Sequence, residues 1–341
     1  MRIQGFPSLG PGLRLHLNEK TSGCSPRVIE AIRKLTTSDI AAYPDYTSAV
    51  LACAKHLDVD PDWILLTNGL DEGLLMLALG HLGRDSSRGA EVIIPVPAFD
   101  AYVAAADAVG ASVVSIPPLE HFGFPLRGVL SAMTPLTRLV FLNTPNNPTG
   151  QEIHRDDLEA VLDAAPHAVV LVDEAYIEFG CPSFLRELPR YPNAVVGRTF
   201  SKAYGLAGMR VGCLVAHPDT LEPIRAVTPV FNLNVVAVTA VQAALADREF
   251  MPGYAAEVEE SKRRLYNVCS RLGLEHWPSA ANFVLVRVGE RAEEVVSALA
   301  ARGIHVRDRS KDPYTAGCVR ITAGVVAHTE AAVAALEAMF V

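Results

Sequence analysis

The chain has 341 residues, 50% of them apolar and 20% charged, with a formal net charge of −8. That length buries a large core, in one large domain or in two lobes sharing a cleft, and the acidic balance leaves no basic excess to hold nucleic acid or an anionic lipid surface. The opening stretch, MRIQGFPSLGPGLRLHLNEK, has no cationic segment leading into an apolar run, and no window approaches the ~20 apolar residues of a membrane span, so no secretory signal, no membrane partner and a cytoplasmic location are expected.

In chain order, three parts are expected: an N-terminal segment, 1–40, packing with the small domain; a large domain, 41–233; and a small domain, 234–341. The large domain holds the strand candidates WILLT (63–67), EVIIPV (91–96), SVVSI (112–116), RLVFLN (138–143), AVVLV (168–172), NAVVGRT (193–199) and VGCLVA (211–216). Between them, DEGLLMLALGHLG, FDAYVAAADAVG and RDDLEAVLDAAP repeat their apolar positions at the intervals of a helix face. Near-continuously apolar strands alternating with helices predict an α/β fold with a mostly parallel central sheet covered by helices. A helical stretch from Asn234 to about Leu272, in two pieces broken near Pro252-Gly253, then leads to NFVLVRV, RAEEVVSALAARG, GIHVRD, CVRIT and a last helix, HTEAAVAALEAMFV. That β-α-β-β-α order predicts a smaller α+β domain.

The cysteines Cys24, Cys53, Cys181, Cys213, Cys269 and Cys318 are scattered without a C-x-x-C pair, which argues for reduced thiols over a zinc knuckle or a disulfide framework. His154, His305 and the other histidines show no metal-ligand spacing, so no metal is expected.

Sites on parallel sheets gather at the carboxyl ends of the strands. There RLVFLN runs into TPNNPTG, AVVLV into DEAY, and NAVVGRT into FSK, delivering Asn147, then Asp173 and Tyr176, then Lys202. A lysine, a carboxylate, a phenol and an amide converging on one crevice are the set that pyridoxal 5′-phosphate needs. Its aldehyde forms a Schiff base with a lysine amine, and its ring nitrogen stays protonated only beside a buried carboxylate, for which Asp173 is the candidate. Tyr176 and Asn147 can donate to the ring hydroxyl. For the phosphate, TNGLDEGLL offers the N–H groups of a helix start near Gly69, Leu70 and Asp71, and Thr199, Ser201 and Arg210 can complete the cup. Each motif alone is ordinary: DEAY caps a strand, and NPTG is a common turn. Their order at successive strand ends carries the inference. No G-x-G-x-x-G follows the early strands, which argues against a nicotinamide dehydrogenase.

NTPNNPTG, VDEAY and RTFSKAYGLAGMRVG, in this order, resemble the fold-type I aminotransferases of classes I and II. LHLNEKTSGCSPRVIEAI, YPDY, TNGLDEGLL, PAFDAYVAAADAVG, ANFVLVRV, GIHVRD and CVRIT are most similar to the histidinol-phosphate aminotransferases among them. The resemblance implies that Lys202 is the Schiff-base lysine and general acid/base, that Asp173 pairs with the pyridine nitrogen, and that Asn147 and Tyr176 contact the ring hydroxyl. It further implies that Phe99 stacks on the ring, that Ser201, Arg210 and backbone near Leu70 and Asp71 hold the phosphate, and that Tyr43 reaches the neighbouring subunit's cofactor in a homodimer. Arg320 would grip the substrate carboxylate, with Arg307 beside it at the anionic end. Where the family reads N-E-N-P, a small residue and Gly, this chain has Asn18, Glu19, Lys20, Thr21, Ser22 and Gly23, at the substrate end of the site. The implied reaction is a ping-pong amino transfer between histidinol phosphate, or a related aromatic or imidazole amine, and 2-oxoglutarate. A threonine-phosphate decarboxylase-like lyase and an aminotransferase for a specialised amino acid are the alternatives.

Overall fold

The protein is described here by a computed structural model covering residues 11–83 and 89–340; the first ten and the last residue of the expected three-part division lie outside the described residues. Among the described residues twelve strands form two sheets: β1 (Leu13–Leu15), β2 (Ile64–Thr67), β3 (Glu91–Pro95), β4 (Ser112–Ile116), β5 (Thr137–Asn143), β6 (Val169–Asp173), β7 (Ala194–Thr199), β8 (Gly212–Ala216), β9 (Glu275–His276), β10 (Phe283–Arg287), β11 (Ile304–Asp308) and β12 (Cys318–Thr322).

The larger sheet runs β2-β8-β7-β6-β5-β3-β4. Its neighbours from β4 to β7 are parallel, and β8 joins β7 and β2 antiparallel at the other side. Every residue of β6, β7 and β8 is buried, as strands covered by helices on both faces must be, and this explains their unbroken apolar runs. Because β5, β6 and β7 are parallel and in register, with Asn143 beside Asp173 and Asp173 beside Gly197, their polar residues arrive at one edge together.

The smaller sheet runs β1-β11-β12-β10-β9, with β1 parallel to β11 and the other pairs antiparallel. Strands β1 and β9 have three and two residues, too short for a period to show in sequence. The long helical stretch divides as expected, into Val235–Ala246 and Phe250–Arg271, but the break precedes Pro252 instead of falling at it. Pro252 is the third residue of the second helix, where its missing N–H forfeits no intrahelical bond.

One residue past Asp173, Glu174 enters a buried ion-pair network. Arg198 of β7 donates to Glu174 at 3.1 Å and to Glu178 at 2.7 Å, with side chains 9%, 0% and 4% exposed respectively. The network ties the end of β6 to β7. Arg198→Met strands two carboxylates away from water and is expected to cost about 3–5 kcal/mol, read as a lower urea midpoint at unchanged slope.

Candidate active site

A cavity of about 520 Å³ opens where the carboxyl ends of β5, β6 and β7 face the smaller sheet. Asn143 and Asn147 follow from β5, Asp173 and Tyr176 from β6, and Thr199, Ser201 and Lys202 from β7. Arg307 of β11 and Arg320 of β12 enter from the opposite wall, and Leu17, Asn18 and Glu19 close a side.

Lys202 Nζ donates to the carbonyl of Leu17 at 2.9 Å. Asp173 is 2% exposed; its Oδ2 accepts from the Tyr102 hydroxyl at 2.6 Å and its Oδ1 from the Ala175 N–H at 2.9 Å. Burial pushes this carboxyl up to about 6, against the two hydrogen bonds, which pull it down. Among the described residues no cation pairs with it, so the site presents a desolvated acceptor that suits a protonated ring nitrogen. Phe99 lines the same cavity, edge-on to Tyr102 with ring centroids 5.9 Å apart.

At the other end the helix Gly69–Leu82 starts beneath the cavity. Gly69 has φ 74, and a Cβ there would collide with the Arg210 guanidinium, so the helix start and the arginine lie in direct contact. Leu70 and Asp71 line the cavity, and Asp71 Oδ2 accepts from Arg210 Nη2 at 2.8 Å. Thr199 Oγ1 accepts from the Ser201 N–H at 3.2 Å, which places both hydroxyls at one turn. Free N–H groups of a first helical turn, hydroxyls and a guanidinium form a fitting cradle for a phosphate.

The anionic end is built around Arg320, which is 6% exposed. Its Nη2 donates to the carbonyl of His16 at 2.8 Å, its Nη1 to Asn147 Oδ1, and its Nε–H is buried without a partner. Burial, with Arg309 and Arg307 nearby, pushes its guanidinium down to about 10. Asn18, in the left-handed region at φ 56, donates to the Tyr176 hydroxyl at 3.0 Å and receives Asn282 on its carbonyl at 3.1 Å. Glu19 turns to Arg14 at 2.8 Å.

Two of the named residues, Lys20 and Tyr43, do not line this cavity. Lys20 Nζ lies 3.5 Å from the Tyr254 ring centroid and 4.3 Å from that of Phe250, and burial pushes its ammonium down to about 7. The stem packs on Gly205, and the two rings satisfy the charge in place of substrate. Tyr43 is 76% exposed and stacks on Phe231 with centroids 4.1 Å apart, away from the cavity of its own chain. Conversely, Tyr102, Asn143, Asp100 and Arg309 line the cavity without having been singled out. Tyr102 was hidden in an apolar helix face; Arg309 is two residues from Arg307 in VRDRS, and the strand period alone points it the same way. Among the described residues no helix is long and apolar enough to cross a membrane, and no cluster of His, Cys, Asp or Glu could hold a metal ion.

An α/β chain of two sheets with a lysine, a buried carboxylate and a phosphate cradle at the ends of parallel strands is a fold-type I pyridoxal phosphate enzyme. The sequence profile described as "Aminotransferase class I and II" matches residues 10–336, and the chain belongs to that family. It is 40% identical over 300 residues to the histidinol-phosphate aminotransferase of Symbiobacterium thermophilum, covering 86% of this chain and 81% of that one. The enzyme of the same name from Anoxybacillus flavithermus is 34% identical over 334 residues, 96% of this chain and 88% of its own. The solved structure of histidinol-phosphate aminotransferase from Sinorhizobium meliloti, in complex with pyridoxal 5′-phosphate, superposes with a TM-score of 0.86 at 28% identity, covering 97% of this chain and 91% of that one. The chain is thus a pyridoxal phosphate-dependent aminotransferase.

A carboxyl raised in the folded state is a cost absent below its ordinary range and complete above its folded value. For Asp173 that window runs from 3.8 to about 6. Cofactor-free protein should therefore lose stability as pH rises through it, and Asp173→Asn should flatten that part of the profile. Tyr102→Phe, removing a bond that holds the carboxyl down, should extend the window upward; urea midpoints against pH measure all three.

Proposed function

We propose that this chain transfers the amino group of histidinol phosphate to 2-oxoglutarate, with Lys202 and Asp173 as the central pair. The observation that carries the aminotransferase chemistry is the desolvated Asp173 carboxylate in one cavity with the Lys202 amine. The donor is supported by the names of the relatives at 40% and 34% identity and by Arg307 and Arg320 at the anionic end.

In this reading residues 41–233 hold the cofactor, and residues 234–341, with the N-terminal segment, hold the anionic end of the substrate. Pyridoxal phosphate, when bound, supplies the electron sink for the pair left when the donor's Cα–H bond breaks. Asp173 keeps the proton on the ring nitrogen. Arg210, Ser201, Thr199 and the N–H groups at Leu70 and Asp71, over Gly69, bind its phosphate. Phe99 covers the ring face. Tyr176 Oη, already accepting from Asn18, keeps its own O–H to donate, and Asn147, its Oδ1 taken by Arg320, keeps its NH₂; both would donate to the cofactor's ring hydroxyl. Lys202 Nζ would hold the cofactor at rest and, when free, would be the base that takes the donor's Cα proton and the acid that gives it back. Arg320 and Arg307 hold the carboxylate or phosphate, which aligns the C–H bond with the lysine.

The reading extends to a homodimer. Tyr43 and Phe231 form an exposed stacked pair, with Ile40 and Val230 exposed beside them in sequence, an apolar surface that a second copy would cover and through which Tyr43 would reach the partner's site. A cytoplasmic setting agrees with the six unpaired cysteines.

The decisive experiment mixes holoenzyme, histidinol phosphate and 2-oxoglutarate, with a parallel reaction holding threonine phosphate in place of histidinol phosphate. Glutamate formation in the first is expected; no glutamate there, or CO₂ release from threonine phosphate in the second without glutamate in the first, would overturn the reading. Lys202→Ala should lower kcat by about 10⁴-fold while pyridoxal phosphate still binds, seen as retained cofactor absorbance. Phe231→Asp should shift sedimentation from dimer to monomer, and a wild-type monomer would sink the dimer.

A further inference from the structure

The positive charge at the anionic end exceeds what one carboxylate needs. Arg307 and Arg320 are direct cross-strand partners, an arrangement that is unfavourable for like charges unless something negative joins them. A third guanidinium stands with them. Arg309 lies on the same face of the pleat as Arg307 and lines the same cavity. Its side chain is only 10% exposed; Nη2 meets Asp312 of its own loop at 3.1 Å, while Asp100, largely in water, stands 3.9 Å from Nη1.

The Nε–H groups of Arg309 and Arg320 are both buried with no hydrogen-bond partner. Each carries the full desolvation cost of an unmade charged hydrogen bond, which a ligand oxygen would relieve. Other carboxylates of the cavity wall are engaged elsewhere, Asp71 by Arg210 and Glu19 by Arg14. Arg309 also lines an adjoining cavity of about 630 Å³ that does not include Lys202, so it marks the end of the site remote from the reacting amine.

We infer that Arg309 is a specificity-determining residue that reads the second negative charge of a doubly charged ligand. One bidentate fork satisfies a single carboxylate. A third guanidinium, with its own unmet N–H, favours a dianion: the phosphate monoester of the donor, and the distal carboxylate of the dicarboxylate in the other half-reaction. The inference rests on the reaction proposed above and names what its remote end selects.

The test compares dianion with monoanion in matched pairs on holoenzyme. Histidinol phosphate is set against its monoanionic methyl phosphodiester as donor, L-glutamate against L-norvaline in the second half-reaction, and glutarate against butyrate as equilibrium ligands followed by cofactor absorbance. In Arg309→Gln the dianion-to-monoanion ratio is expected to fall about tenfold or more in each pair. Arg309→Lys, which keeps the charge and loses the fork, should retain more of the preference than the glutamine variant. Ratios unchanged within about twofold, even if all rates fall together, would overturn the role of Arg309, as would equal loss in both variants. Failure of the wild-type enzyme to use histidinol phosphate would overturn the donor alone, because the glutarate-to-butyrate ratio still decides Arg309. Retained donor use with an unaltered ratio would overturn Arg309 alone.

Discussion

The removal of one carboxylate from water organises this protein. Asp173 ends β6, a strand buried along its whole length, and the described hydrogen-bond donors to its carboxylate are a phenol and a backbone N–H. Neither neutralises it. A fully desolvated carboxylate without a cation is an expensive group, so it persists only where something positive completes it. The neighbouring strands follow from that need: β5 and β7 lie parallel at its sides, bring amide and amine to the same edge, and are held in register by ladders on both sides of β6. The Glu174–Arg198–Glu178 network, one residue further on, fixes the point at which the two strands part and the chain turns toward Lys202.

The N-terminal segment does for the opposite wall what the strand ends do for the first. Strand β1 adds to the edge of the smaller sheet beside β11, which places the next residues across the cavity mouth. From there the carbonyl of His16 accepts from Arg320, that of Leu17 from Lys202, and Asn18 bonds Tyr176, Thr322 and Asn282. Consecutive residues thus tie the lysine that follows β7 and the arginine of β12 to one short stretch of backbone.

The large sheet was legible because its strands are apolar without interruption, and a polar residue at the end of such a run stands out. Lys202, Asp173, Asn147 and Tyr176 were readable for that reason, and the structure gathers all four in one cavity with Arg210. Elements of two or three residues were not legible, since β1 and β9 exist only through their partners. Tyr102 was hidden because a buried tyrosine with a carboxylate acceptor has the same sequence signature as one packed in a helix face.

Lys20 shows where sequence pattern and chemistry diverge. The stretch NEKTSG departs from the family pattern at the substrate end, which in sequence suggests a new charge facing the substrate. The left-handed turn at Asn18 instead sends the chain inward, so Lys20 lies against Tyr254 and Phe250, and Thr21 accepts the Val325 N–H at 3.0 Å where the last helix begins. Both departures anchor the segment, Lys20 to the helix Phe250–Arg271 and Thr21 to Val325. The charges that face the cavity from this wall remain Glu19 and the arginines, so the departure alters how firmly Leu17 and Asn18 are held and leaves the electrostatic demand on the substrate to Arg307, Arg309 and Arg320.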